Sequence, residues 1–156
     1  MLSFISSLNR KSEAFAIFVT EKYDYKDKNN ILSRSVIDKI DSFIKVLKTK
    51  NKEEAISFFD ISDQKKCFII KIKNKYENYY PEEVGGTFFS YLKKIKNINT
   101  IDIYADTLNQ DREKLIKFFS EFILGFNLKS YTFNKYKTLN KEKINKKISF
   151  KIITLH

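Results

Sequence analysis

The feature that most constrains this sequence is a short, continuously apolar run, Ala14-Phe15-Ala16-Ile17-Phe18-Val19. A strand with one face in water alternates apolar and polar residues, whereas a strand covered on both faces is apolar throughout. The run therefore predicts a strand near 14–20 that is covered on both faces. A sheet of such strands needs helices on both sides, which indicates an α/β fold.

The other elements follow from the spacing of apolar residues. Helical spacing predicts three helices, near 33–47, 81–96 and 111–126. The first would begin near Ser33 or Ser35, and the last would follow a start near Thr107 or Asn109. Short apolar or alternating runs predict further strands near 55–60, 67–73, 100–105 and 148–154.

The order of these elements predicts the topology. A turn at 62–65 joins two consecutive strands as a hairpin, while the other strands are separated by helices. We therefore expect a mixed, mostly parallel sheet flanked by helices. Because the chain has 156 residues and no repeat or linker, residues 1–156 are expected to form a single domain.

Sites for chemistry are scarce in the sequence. The chain has one histidine, His156, and one cysteine, Cys67, so imidazole and thiolate ligands cannot converge on a metal ion. Three glycines, Gly85, Gly86 and Gly125, are too few for a glycine-rich phosphate loop, and no nucleophile-elbow or P-loop pattern occurs. The adjacent carboxylates at 53–54 and 82–83 point to different faces, so neither pair forms an acid/base dyad. We predict no catalytic residue, cofactor site or metal site.

The formal net charge of +11 permits two interpretations. Excess positive charge is typical of proteins that bind nucleic acid. However, 27 of the 30 basic residues are lysine, and arginine is the residue favoured for bidentate phosphate and base recognition. An A/T-rich genome would also enrich lysine together with Ile, Asn, Phe and Tyr, without selection for binding. Nucleic-acid binding, if present, is expected to be weak and non-specific.

The environment of the chain is predicted from what its sequence lacks. A single cysteine cannot form an intramolecular disulfide, and the segment Met1–Ile5 is too short for a signal peptide or a membrane span. A cytoplasmic location without membrane insertion is expected.

The most specific segment spans residues 122–138, where a helix is predicted to end in an aromatic-rich loop. Gly125 would let the helix approach a neighbouring element closely. Tyr131, Phe133 and Tyr136 would pin the loop to the core. The pattern Tyr131-x-Phe133-x-x-Tyr136-Lys137, after Leu124-Gly125, resembles a signature of leucyl (cytosol) aminopeptidases, with two residues more than expected before Tyr131.

The resemblance extends over residues 2–155, although only the motif at 131–137 is distinctive. It implies a macro-domain-like fold and a non-catalytic N-terminal domain that supports assembly and access to the active site. The catalytic domain would follow beyond His156, bind two divalent metals (zinc or manganese), remove N-terminal residues from peptides and assemble as a hexamer. One departure is the segment Lys71–Lys75, which lacks the glycine-containing turn that the family has after its central strand.

Two alternatives to the accessory domain remain open. The first is a stand-alone basic module that binds nucleic acid through stacking aromatics and lysines near 131–147. The second is a macro-domain-like binder of ADP-ribose or a related nucleotide, which the low glycine count disfavours.

Overall fold

The computed structural model describes residues 4–5, 11–27, 30–50, 54–131 and 148–154. Its strands are β1 (Phe4–Ile5), β2 (Ala14–Thr20), β3 (Ile56–Ser62), β4 (Lys65–Ile72), β5 (Thr100–Tyr104) and β6 (Ser149–Ile153). Its helices are α1 (Arg34–Thr49), α2 (Tyr80–Lys94) and α3 (Arg112–Ser130), with a 3₁₀ turn at Ala105–Thr107.

The strands form one six-stranded sheet in the order β1-β6-β5-β2-β4-β3. Every neighbouring pair is parallel except β3 and β4, which form the hairpin. The predicted fold class is therefore confirmed. The run at 14–19 is β2, which is buried along its length and pairs with β5 on one side and β4 on the other.

Helices cover both faces of the sheet. On one face, Ile40, Ile44 and Leu47 of α1 pack over alternate residues of β2 and β4. On the other face, α2 and α3 pack side by side, and Phe18 of β2 lies against three phenylalanines of α3 at centroid distances of 5.2–5.9 Å. Most of the buried phenylalanines lie in this second layer.

Helices α2 and α3 approach so closely that only glycine fits at the contact. A Cβ atom added to Gly125 would lie 1.9 Å from the carbonyl oxygen of Glu82, and one added to Gly85 would lie 1.9 Å from the carbonyl oxygen of Phe122. Gly86 is less constrained, because its nearest neighbour would be 3.5 Å away. This agrees with the close approach expected of Gly125.

Every predicted helix and strand is present near its predicted bounds, but two details at their ends were wrong. Helix α3 does not start near Thr107 or Asn109, because Asp111 caps it by accepting a hydrogen bond from the Lys114 N–H at 3.0 Å. Strand β3 extends to Ser62, so the hairpin turn contains only residues 63 and 64. The two-residue strand β1 was not predicted, since so short a segment has no periodicity.

Candidate functional site at the carboxyl edge of the sheet

Ligands of α/β proteins usually bind outside the carboxyl ends of the strands, where neighbouring connections leave in opposite directions. Here the connection after β2 leads through α1 to the β3–β4 side of the sheet. The connection after β5, the neighbour of β2, leads through α3 to β6, on the opposite side of β5. The carboxyl ends of β2 and β5 therefore flank the position where a ligand crevice would be expected.

That position is filled by the chain itself. The Thr107 side chain is buried, and its hydroxyl accepts a hydrogen bond from the Phe18 N–H at 2.9 Å and donates one to the Tyr104 carbonyl at 2.8 Å. Thr107 thus satisfies the β2 backbone just where its pairing with β5 ends. A bound phosphate would have to displace this plug.

Polar groups behind the plug are also largely enclosed. Asp106 is buried and accepts a hydrogen bond from the Thr154 hydroxyl at 2.7 Å. The hydroxyl of Tyr104 is buried without a hydrogen-bond partner among the described residues. Burial of its ring raises the pKa of Tyr104, so this phenol stays neutral. Asp106 thus joins the end of β5 to that of β6, and the side chains of Asp106 and Tyr104 are both buried.

The turn after β2 lacks the open backbone that phosphate binding needs. Tyr23 adopts a left-handed conformation with φ of 63°, a region that favours glycine. Its side chain is half-buried against the α1 layer, and the Lys71 ammonium lies 5.1 Å from the ring centroid. The segment Lys71–Lys75, expected to follow the central strand, instead follows β4, which lies between β2 and the edge strand β3. Both turns lack glycine.

A depression of about 550 Å³ lies beside the plug, between the β4–α2 and β5–α3 connections. Its lining residues include Lys75, Tyr76, Gln110 and Lys114. The side-chain oxygen of Gln110 is buried and makes no hydrogen bond to any described residue. The Lys114 ammonium, in contrast, is paired with Asp111 at 2.9 Å. A ligand here would meet an amide acceptor, an aromatic ring and a cation.

Groups capable of metal or nucleophilic chemistry do not converge in the described part of the chain. Within it, no three His, Cys, Asp or Glu side chains lie close enough to hold a metal ion. The Cys67 thiol is fully buried in the α1 layer, and burial raises its pKa, so it is a poor nucleophile. His156 lies outside the described residues.

The residues of the aminopeptidase-like motif lie in different parts of the structure, and some lie outside the described residues. Gly125 lies at the α2–α3 contact. Tyr131 was expected to pin the loop to the core, but its side chain is 72% exposed. Its N–H ends α3 by bonding to the Asn127 and Leu128 carbonyls, so Tyr131 belongs to the helix end. Phe133, Tyr136 and Lys137 lie outside the described residues.

Comparison with known proteins identifies the fold. No protein-family model and no curated protein matches the sequence. Among solved structures, a mutant of tomato leucine aminopeptidase superposes with a TM-score of 0.71 at 15% identity, over 99% of this chain and 32% of that chain. The macrodomain of DarG from Thermus aquaticus superposes with a TM-score of 0.64 at 12% identity, over 99% of this chain and 98% of that chain.

These likenesses show a macro-domain-like α/β fold. The chain spans about a third of the aminopeptidase that it resembles, and nearly all of the macrodomain. Across the residues that the structure describes, none of the helices is both long and apolar enough to span a membrane.

Proposed function

We propose that this chain is a non-catalytic accessory domain of the kind found at the N-terminus of leucyl aminopeptidases. The observation that carries the proposal is the superposition of 99% of the chain on part of a leucine aminopeptidase. The plugged crevice and the lack of converging reactive groups among the described residues support a role in assembly. The domain would position a catalytic neighbour rather than act on substrate.

A surface that a neighbouring domain could cover supports this role. The outward face of α3 carries Leu124, Leu128 and Tyr131, which are 49%, 58% and 72% exposed. No charged residue interrupts this strip, although 31% of the residues in the chain are charged. Burying such a strip against a neighbouring domain would contribute roughly 25 cal/mol for each Å² of apolar surface removed from water.

The proposal carries further expectations for the complete protein. Its catalytic domain would follow His156, hold two zinc or manganese ions and form a hexamer through which the domain described here shapes active-site access. The residues described here do not fit such a metal pair, so no catalytic step is assigned to them.

Two measurements test the proposal. The reading frame downstream of His156 should encode a peptidase domain with Lys, Asp and Glu clusters suited to two metals. A stop codon directly after His156 would contradict this.

The chain alone should not hydrolyse a leucine p-nitroanilide substrate with added zinc or manganese. Turnover that persists through repurification would contradict a non-catalytic role.

A second candidate function is the binding of ADP-ribose or a related nucleotide. The coverage of 98% of a macrodomain favours it, as does the depression containing Tyr76, Lys75 and the unpartnered Gln110 oxygen. Calorimetric titration with ADP-ribose decides between the two. The accessory-domain proposal expects no saturable heat, whereas stoichiometric micromolar binding would establish the nucleotide binder.

A further inference from the structure

Charge is divided unevenly between the two ends of the sheet. We compared the residues where β2, β4 and β5 begin (11–13, 63–66 and 93–99) with the connections that leave their carboxyl ends (21–27, 73–79 and 105–114). The first set, here called the amino edge, has six basic and two acidic residues: Lys11, Lys65, Lys66, Lys93, Lys94, Lys96, Glu13 and Asp63. The carboxyl-edge set has six basic and seven acidic residues. Of the two ends of the sheet, the amino edge therefore carries the positive excess, with a net charge of +4 against −1.

Hydrogen bonds gather the three amino-edge segments into one surface. The Glu13 carboxylate accepts a hydrogen bond from the Thr100 N–H at 2.9 Å and another from the Asn99 N–H. The Glu13 carbonyl accepts a hydrogen bond from the Lys66 N–H at 3.0 Å. The starts of β2, β4 and β5 are thus held side by side, so the basic residues share one end of the sheet.

The amino edge keeps most of its positive charge. The carboxylate of Glu13 already accepts backbone N–H groups, and Lys66 is paired with Asp60. Lys93, Lys94 and Lys96 are exposed at the end of α2, where the helix dipole favours cations. Three neighbouring ammonium groups are therefore available to a polyanion.

We propose that the amino edge binds the phosphate backbone of nucleic acid. Lysine is a compact cation on a long stem, suited to phosphate contacts that carry no sequence information. The exposed large apolar side chains of the described residues all lie outside the three amino-edge segments. Cations alone attract anionic lipid weakly, and firm membrane binding also needs apolar side chains that insert, so nucleic acid is the better partner.

The test compares two charge reversals of equal size. Fluorescence anisotropy with a labelled 20-base-pair duplex of mixed sequence would be measured for the wild type, for K93E/K94E/K96E and for K22E/K26E/K75E. The control residues are exposed lysines of the carboxyl edge, so both variants change net charge equally. The amino-edge variant should weaken binding by about tenfold or more and reduce the salt slope by about 3, while the control changes little.

Each other outcome overturns the proposal. Equal weakening in both variants would mean that net charge alone attracts DNA. If the wild type does not bind DNA in 50 mM salt, the amino edge is not a nucleic-acid interface. Binding only to vesicles containing phosphatidylserine would identify a membrane surface instead. Circular dichroism monitors folding. If the reversal unfolds, K93Q/K94Q/K96Q replaces it, with K22Q/K26Q/K75Q as its control, and wild-type affinity in that variant would also refute the interface.

Discussion

At the scale of single residues, glycine in this protein serves helix packing. Gly85, Gly86 and Gly125 all lie at or beside the α2–α3 contact. Among the described residues, the left-handed backbone positions are taken instead by residues with side chains: Tyr23, Asn30, Tyr79 and Asn97. A phosphate loop needs the reverse arrangement, because backbone N–H groups reach a phosphate only where no side chain intervenes. Glycine placement therefore disfavours nucleotide chemistry more strongly than glycine number does.

Replacing Gly125 by alanine should destabilise the fold. The added Cβ would overlap the Glu82 carbonyl oxygen, which belongs to the backbone and can yield only if the helices separate. Overpacking of this kind costs about 1–3 kcal/mol. Gly86→Ala is the matched control, since its Cβ has room and alanine gains about 1 kcal/mol of helix propensity. Urea denaturation should give a lower midpoint for Gly125→Ala and an equal or higher one for Gly86→Ala; the opposite order would contradict the contact.

Glu13 should contribute stability that depends on pH. Burial opposes its ionisation, but hydrogen bonds from Asn99 and Thr100 outweigh this and hold the pKa of Glu13 below its usual value. The contribution is therefore present above the unfolded-state pKa of about 4.3 and is lost as the pH falls through the lower folded-state value.

Glu13→Gln measures this contribution. The amide still accepts hydrogen bonds but carries no charge, so the variant should be less stable than the wild type at pH 7. Because the carboxylate is largely exposed, solvent screening limits the difference to less than about 1 kcal/mol. Urea denaturation at several pH values should show the difference shrinking towards acid. A difference that stays constant with pH would contradict a charge effect.

At the scale of elements, the sequence predicted the strands and helices that have periodic apolar residues. It missed features that depend on the contacts of a single residue. Strand β2 was predicted with its observed bounds, 14–20, because both of its faces are covered and every position up to Val19 is apolar. Helix α3 was located by its phenylalanines, and its predicted bounds near 111–126 begin one residue before Arg112, but the residue that starts it was misassigned to Thr107 or Asn109. Thr107 is a plausible cap in sequence, and only tertiary contact shows that its hydroxyl is used by β2. Its role as a plug had no local signal.

The cap of α3 gives an element-scale prediction. Asp111 accepts a hydrogen bond from the Lys114 N–H and pairs with the Lys114 ammonium. Asp111→Ala should lower the melting temperature by a few degrees, because the first turn loses its acceptor. Asp111→Asn keeps the acceptor and should retain most of the stability. If both variants melt alike, the ion pair rather than the cap would be the stabilising contact.

At the scale of the whole molecule, the fold could be predicted from the sequence more fully than the candidate site. Apolar periodicity was enough to predict a mixed α/β sheet, and solved structures of this fold include part of an aminopeptidase and a macrodomain. The candidate site was less predictable, because the residues that fill the crevice come from segments about 90 positions apart, such as Phe18 and Thr107. The net charge likewise did not predict where a basic surface lies. Only the topology assigns the lysines of 93–96 and the acidic residues of 105–114 to opposite ends of the sheet.

The proportion of lysine to arginine determines how specifically this protein is expected to bind nucleic acid. With 27 lysines and three arginines, the protein has many point charges and few groups for bidentate base contacts. Duplexes of equal length but different sequence, one A/T-rich and one G/C-rich, should therefore bind with dissociation constants within about threefold of each other, since a single specific base contact is worth about 1–3 kcal/mol. Both should weaken steeply between 50 and 200 mM salt, as counterion release requires. Anisotropy titrations of both duplexes at the two salt concentrations provide the measurement. A preference of a hundredfold for one duplex that persists at the higher salt would show base readout and would contradict binding limited to the phosphate backbone.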